Sequence, residues 1–503
     1  MLDWLDLDYD GNLRQYSTAQ LYGLLGADAH NGSAKCTLSL LPERMVADKA
    51  EAKPLLNHRM YGLTALCKNA DRGSRRQQAV WEKIEVLLSS KHQTCVSDLL
   101  RKVDSSGEHQ SLDLTSLPIE KLVQRAFREL GGLNLFIKEK DVTCIQERFL
   151  DPEKLPVDVS DMSLLITSLA WGASLDPEVS SASKVALLDA VLEASTLLLR
   201  QNGSVRKFLA LVAVLCLAEK TGSDNLPALI LGSISTAASL SLHLETALRK
   251  FCVSNEQAVQ TKRAMRILYC IDKSYALRWQ TFSLVGDGSL PTTNPPDTAL
   301  PSDVATTLSL EWLRIRSQYS KICSNILQLG VGAEGELSEN RSNRAVALST
   351  ALEEWYGSVE ISQMMLSLEH SDAVHMKLQT SYHYYEARFQ LLTISLPDPR
   401  SSSPTGSQEC KEVLRRSIRE VITGSNTIAS EYLLQDCNHL FIQTLALSML
   451  ALDILLESDQ GCGKENRALL SIVAGFFARV DIILPQSSIF EEVSNLIEIL
   501  TYR

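Results

Sequence analysis

The feature that most constrains the fold of this chain is an apolar run, FLALVAVLCLA, at residues 208–218. Ser204 before the run and Gly222 after it are typical signals for the start and the end of a helix. The run is too short to cross a bilayer, and the sequence predicts no membrane segment. Because a helix that is apolar on every side must be enclosed by protein, other helices are expected to surround this one.

Helical periodicity continues through most of the chain after about residue 75. Alternating strand patterns are scarce and no fixed repeat length is visible, which disfavours a regular solenoid. The patterns predict an all-α fold, a large irregular multi-helix bundle. The predicted helices beyond the apolar one, taken as 204–220, are 225–245, 255–280, 304–329, 343–369, 373–395, 408–433, 436–457, 464–482 and 487–501.

The first part of the chain differs from the rest. Residues 28–75 are rich in Gly, Ser, Lys and Arg and show weak periodicity, so partial disorder is predicted there. We therefore divide the chain into a variable N-terminal region, 1–110, and an all-helical domain, 111–503. The N-terminal region has an acidic N-terminus and a helical segment at 75–103.

Charge and cysteine content narrow the class of protein. The net charge is −11, which argues against broad electrostatic capture of DNA or of an anionic membrane. The 11 cysteines are scattered between Cys36 and Cys462 with no close pair. An odd, unclustered set of cysteines predicts reduced thiols in the cytosol or the nucleus. No basic region followed by an apolar stretch opens the chain, so secretion is not predicted.

Two glycine patterns match nucleotide-binding motifs only in part. Gly330, Gly332 and Gly335 spell G-x-G-x-x-G, but they follow a helical pattern where the motif requires a strand. GCGK, at 461–464, lacks the earlier glycine of a phosphate-binding loop. Both segments are therefore predicted to be plain interhelical loops.

No catalytic or metal-binding constellation is visible in the sequence. Neither H-E-x-x-H nor G-x-S-x-G occurs, and no close Cys/His group could hold zinc. His243, Cys216 and Cys270 lie on neighbouring predicted helices, where filled core positions are favoured over a metal site. The sequence thus predicts a protein that is not an enzyme, with no catalytic residue, no metal and no cofactor.

An aromatic cluster, YHYYEARF, occupies residues 382–389 within the helix predicted at 373–395. Packing in a core or an interface explains such a cluster. The wall of a ligand pocket is the alternative interpretation.

A family resemblance covers residues 120–300. Three predicted helices appear in order: the apolar one, a small-residue one ending in AASLSLHLE, and one that reads TKRAMRILYCIDKSYALRW. This order resembles the middle homology region of fungal-specific transcription factors, the regulatory domain that usually follows a Zn₂Cys₆ cluster. The residues that match the family motifs are Leu240, Leu242, His243, Lys262, Arg263, Leu268, Tyr269, Asp272, Asp287, Leu290 and Pro291.

The chain departs from that family at several positions. Ser241 stands where the family has a glycine, and Arg266 where it has a tryptophan. A Zn₂Cys₆ module needs six cysteines, including two C-x₂-C pairs, and none of these pairs is present. We expect the motif residues to fix helix packing rather than to carry chemistry.

The resemblance implies a nuclear transcriptional regulator that controls a pathway gene set, such as a secondary-metabolite cluster. Without a zinc cluster of its own, it would reach DNA only indirectly, through other transcription regulators or coactivators. A small-molecule effector and a homodimer or heterodimer partner are also in keeping with the family. A coactivator, a partner of a full-length regulator and an incomplete gene model remain open interpretations. The alternative hypothesis is a helical protein-interaction scaffold outside transcription.

The N-terminus interleaves aspartates with Trp4, Leu5, Leu7 and Tyr9. In a regulator this pattern favours an activation segment, because the acidic residues keep apolar side chains exposed for a partner's groove. A solvated terminal tail is the alternative. A calcium loop is disfavoured, since Ser17 stands where the loop needs a glutamate.

Overall fold

The computed structural model describes residues 79–80, 82–84, 117–150, 157–279, 281–289, 304–331, 338–360, 370–395, 404–428, 438–456, 463–483 and 488–501. Every regular element in these segments is a helix, and the predicted all-α fold is confirmed. The α-helices are α1 (Ile119–Arg128), α2 (Glu139–Leu150), α3 (Val159–Leu175), α4 (Ser181–Arg200), α5 (Val205–Thr221), α6 (Leu226–Ser239), α7 (Glu245–Phe251), α8 (Asn255–Trp279), α9 (Val304–Val331), α10 (Ser338–Glu360), α11 (His370–Ser395), α12 (Pro404–Gly424), α13 (Asn438–Leu456), α14 (Lys464–Ile483) and α15 (Ser488–Thr501).

Helix α5 is the buried helix that its apolar sequence predicts. The Ser204 side chain caps its start by accepting a hydrogen bond from the Lys207 backbone N–H at 3.0 Å. Gly222 ends it in the left-handed region, with φ of 71°. Nearly every side chain between these two residues is buried, so the neighbouring helices enclose α5 as expected for a helix without a polar face.

The core consists of three hydrophobic clusters that follow one another along the chain. The N-terminal cluster is built by α1 to α8 around α5. The central cluster joins the end of α8 to α9, α10 and α11. The C-terminal cluster is formed by α11 to α15. Since α8 and α11 each contribute to two clusters, these helices tie the three together.

Residues 79–80 and 82–84 are helical and contribute to the C-terminal cluster. Val80 and Ile84 are buried there, and Lys83 Nζ lies 2.7 Å from Glu492 Oε2 on α15. The sequence had placed these residues in the variable N-terminal region. The part of it that the structure describes shares a core with the last helices of the chain.

Helix α13 is the central helix of the C-terminal cluster and also the most apolar long helix in the described segments. Residues Asn438–Leu455 have a mean hydropathy of 1.4, which by length and composition alone would suffice to cross a membrane. Of these residues, 83% are buried inside the protein. Burial of this kind is typical of a core helix in a multi-helix bundle.

The turn after α6 places Ser241 in the left-handed region of the backbone. Ser241 adopts φ of 53°, and no other non-glycine residue in the described segments has a positive φ. Its N–H donates to the Ala238 carbonyl at 2.9 Å, and the Leu242 N–H donates to the Ala237 carbonyl at 3.0 Å. This is the left-handed helix ending that favours glycine.

We expect Ser241→Gly to stabilise the protein by about 1 kcal/mol, because glycine adopts the left-handed region without the steric penalty of a side chain. The urea midpoint of unfolding measures the change. The matched control is Ser235→Gly, at an exposed position inside α6, where glycine should destabilise by about 0.5 kcal/mol. Equal effects of the two substitutions would contradict this explanation of the turn.

Candidate functional site

The described residues of the family motifs lie in structural contacts between helices. Lys262 Nζ on α8 pairs with Glu245 Oε2 on α7 at 2.7 Å. Arg263 Nη1 donates to the Leu135 carbonyl at 3.2 Å. Both contacts fasten the start of α8 to segments that precede it in the chain.

Asp272, in the middle of α8, holds the chain that returns from the end of this helix. Its buried carboxylate accepts hydrogen bonds from Ser283 Oγ at 2.6 Å and from the N–H groups of Leu284 and Val285 at 3.0 Å each. Burial raises the pKa of Asp272, and these hydrogen bonds offset part of the rise. The role of this aspartate is therefore to fix the segment that leads into residue 287.

Asp287 completes the same frame. Tyr269 Oη on α8 donates to Asp287 Oδ1 at 2.9 Å, and Lys273 Nζ lies 3.3 Å from the same oxygen. Ser324 Oγ on α9 donates to Asp287 Oδ2 at 3.1 Å. Asp287, which follows α8 in the chain, thus links α8 to α9.

The histidine motif surrounds the turn at Ser241. Leu240 and Leu242 are buried in the N-terminal cluster, whereas His243 is partly exposed and burial lowers its pKa. A neutral imidazole at this position suits packing in a turn. Leu290, Pro291 and the N-terminal segment of Trp4, Leu5, Leu7 and Tyr9 lie outside the described residues.

A polar cavity of about 70 Å³ opens where the three clusters meet, and we call it the junction cavity. Of the family-motif residues that the structure describes, none lines it. Its charged and polar walls come from five helices and the turn after α1. The residues that line it are Glu129, Leu130, Gly131, Leu135, Trp171, Cys216, Glu219, Lys220, Ile267, Trp312, Leu313, Arg316, His375, Gln379, Tyr382, His383 and Asn438.

Two ion pairs dominate the electrostatics of the junction cavity. Lys220 Nζ contacts Glu129 Oε1, and both side chains are largely buried. Arg316 Nη2 on α9 lies 2.8 Å from Glu219 Oε1 on α5. Because each cation has its own carboxylate, these four groups sum to zero net charge.

The pKa shifts follow from this pairing. Burial alone would raise the pKa of Glu129, but the charges of Lys220 and His375 and hydrogen bonds from Lys220 and Trp171 outweigh it, so the pKa is lowered. Burial would lower the pKa of Arg316, but the Glu219 carboxylate raises it. The Glu129 carboxylate and the Arg316 guanidinium are therefore charged at neutral pH.

A tight turn brings the aromatic walls together. Gly131 has φ of 72°, and a Cβ there would overlap Trp312 Cδ1 and lie 3.0 Å from Trp312 Nε1. The indole N–H of Trp171 donates to Glu129 Oε2, and Lys220 Nζ lies 5.3 Å from the centre of the Trp171 ring. The glycine thus lets one indole approach the backbone while the other holds the Glu129–Lys220 pair.

The aromatic segment 382–389 divides between the two interpretations that the sequence left open. Tyr382 and His383 line the junction cavity. Tyr384 packs in the central cluster and Phe389 in the C-terminal cluster. Tyr382 Oη also contacts His439 Nδ1 on α13, so the segment joins the cavity to the core behind it.

Of the three residues that the sequence weighed as a helix-bundle metal site, Cys270 is buried in the N-terminal cluster, Cys216 lines the junction cavity and His243 is partly exposed. Burial raises the pKa of the Cys216 and Cys270 thiols, so both are protonated. No group of three metal-ligating side chains occurs in the segments that the structure describes. Gly330 falls in the last turn of α9, and Gly332 and Gly335 lie outside the described residues.

Another cavity, of about 230 Å³, lies beside the start of α14. Gly463 and Lys464 of the GCGK segment contribute to its wall. Its arginines are engaged with carboxylates. Arg415 donates to both oxygens of Asp453, at 3.1 and 2.9 Å, and Arg419 contacts Glu465. Each arginine in the wall of this cavity is therefore paired with a carboxylate.

Three known proteins are similar in sequence to this chain. AM-toxin biosynthesis protein 12-2 of Alternaria alternata is 90% identical over all 503 residues of this chain, which cover 77% of that protein. AM-toxin biosynthesis protein 12 of the same organism is 97% identical over 342 residues, which are 68% of this chain and the whole of that protein. AM-toxin biosynthesis protein 11 is 48% identical over 83 residues, 16% of this chain and 32% of that protein. No family model and no solved structure matches the chain.

Proposed function

The chain belongs to the same family as AM-toxin biosynthesis proteins 12-2 and 12, and on that premise we propose that it is a transcriptional regulator of a secondary-metabolite gene set. In this proposal it acts in the nucleus, and these 503 residues carry no zinc-cluster cysteine pairs. It reaches DNA through other regulators or coactivators. The names of its relatives support a role in the biosynthesis of a secondary metabolite. The sequence motifs support a role in transcription.

The observation that carries the proposal is the frame around α8. The residues that match the regulator motifs make direct contacts between segments: Asp287 with the motif residue Tyr269 and with Ser324, Lys262 with Glu245, and Asp272 with the 283–285 segment. Motif residues that are linked in this way are expected where a motif preserves a fold rather than a reaction.

The chemistry of the junction cavity also favours a regulator over an enzyme. General acid–base catalysis works best with a group whose pKa is near the working pH. Here the Glu129 carboxyl has a lowered pKa, and burial raises the pKa of Cys216. The two ion pairs in its wall suit the recognition of a ligand.

Transcript profiling of a strain that lacks the gene tests the proposal. We expect the transcripts of one secondary-metabolite gene set to fall together, and reintroduction of the full chain to restore them. Unchanged transcripts together with loss of the metabolite would contradict it and would favour an enzyme or the scaffold alternative. A cytosolic location under all growth conditions would point to the scaffold.

The proposed indirect contact with DNA has its own test. In an electrophoretic mobility shift with promoters of the affected genes, the isolated full chain should show no tight, sequence-specific binding. Binding should appear only when a partner regulator is added. Tight specific binding by the chain alone would contradict this part of the proposal.

A further inference from the structure

The junction cavity is lined by two carboxylates and two cations that form two ion pairs. Glu219 and Lys220 are neighbours in α5, and each is in direct contact with an opposite charge in the cavity wall, Arg316 and Glu129 respectively. A ligand with a net charge would leave one buried charge without compensation, which is costly in a poorly solvated site. A ligand that carries both charges would keep the balance.

We propose that the junction cavity binds the head group of a zwitterionic α-amino acid. Its ammonium group would face the carboxylates of Glu129 and Glu219. Its carboxylate would face Lys220 and Arg316, and a planar guanidinium is well suited to carboxylate recognition. These four residues thus supply two complementary charges for each end of the head group.

The size and walls of the cavity fit this assignment. A volume of about 70 Å³ is enough for the few non-hydrogen atoms of an amino-acid head group, since one water needs roughly 10–15 Å³ on the same measure. Leu130, Leu135, Ile267 and Leu313 contribute apolar walls beside the charges. They favour an amino acid with an apolar side chain.

As an effector site, this cavity rests on the proposed regulatory function, whereas the binding itself can be measured on the purified chain. Isothermal titration of the full chain at neutral pH with L-valine is the direct test. Isovalerate has the same carbon skeleton without the ammonium group, valinamide lacks the carboxylate, and isovaleramide carries neither charge. We expect L-valine to bind at least tenfold more tightly than each of the three.

The double variant Glu129→Gln/Lys220→Met tests the location of the site. It removes both partners of one ion pair, which is tolerated far better than the loss of one. We expect it to weaken L-valine binding at least tenfold. The matched control is Lys83→Met/Glu492→Gln, the same exchanges at an ion pair outside the cavity, which should leave the affinity unchanged.

Three results would overturn the assignment: no binding of L-valine, equal binding of L-valine and isovalerate, or unchanged binding by the cavity variant. Failure of the regulatory function looks different. In that case L-valine binds as expected, but loss of the gene leaves every transcript of the gene set unchanged. The reverse result, loss of transcripts without L-valine binding, overturns only the amino-acid site.

Discussion

Gly172→Ala is expected to destabilise the protein by about 3 kcal/mol or more. Gly172 on α3 faces the backbone of α1, and a Cβ there would overlap the Leu122 carbonyl oxygen, 2.6 Å from its carbon and 2.9 Å from Leu122 Cα. A clash with backbone cannot be relieved by a side-chain rotation, so the two helices must move apart. Chemical unfolding followed by circular dichroism measures the loss.

A matched control separates the clash from helix propensity. Gly475 lies inside α14, and a Cβ there would meet no atom within 4 Å. Gly475→Ala should therefore stabilise the protein by roughly 0.5–1 kcal/mol, because alanine is the better helix former. If both substitutions stabilise the protein, the close approach of α1 and α3 is wrong.

The second large effect is expected at the buried ion pair between α8 and α11. Arg278 Nε and Nη2 donate to the two oxygens of Glu386 at 2.7 and 3.3 Å, and the guanidinium stacks 4.7 Å from the ring centre of Phe441 on α13. Glu386→Gln leaves the guanidinium buried without its counter-charge. We expect a loss of about 3–5 kcal/mol in the free energy of unfolding.

Two further variants decide whether charge is the cause. The double variant Arg278→Met/Glu386→Gln should recover much of the lost stability, because neither charge then remains buried. Glu311→Gln removes the partner of Arg314 at a more exposed pair and should cost under about 1 kcal/mol. A double variant less stable than Glu386→Gln would show that packing, not charge, sets the effect.

The sequence predicted those helices whose boundaries depend on local signals. Ser204 and Gly222 delimit α5 as expected, and the helices predicted at 436–457 and 464–482 differ from α13 and α14 by at most two residues. The helix predicted at 408–433 instead ends at Gly424. There the Arg479 guanidinium on α14 donates hydrogen bonds to the carbonyls of Ser425 and Ile428. Because Arg479 is distant in sequence, no local pattern could reveal this contact.

The junction cavity was not predictable in the same way. Its charged residues are scattered from Glu129 to Arg316 and come together only through packing. Two local signals were nevertheless present: Glu219 and Lys220 follow directly on the apolar run of α5, and Arg316 interrupts the buried face of α9. A charge at the edge of a buried run needs a partner, and here that partner lies on another helix.

Constitutive expression of the gene set distinguishes a regulator from an enzyme of the pathway, because transcription then no longer depends on this protein. In a strain that lacks the gene, the genes of the affected set are placed under constitutive promoters, and the metabolite is measured. A regulator is then dispensable, so we expect production to return to the parental level. Full expression of the set with no metabolite would contradict the proposal, because the chain would then be needed for the synthesis itself.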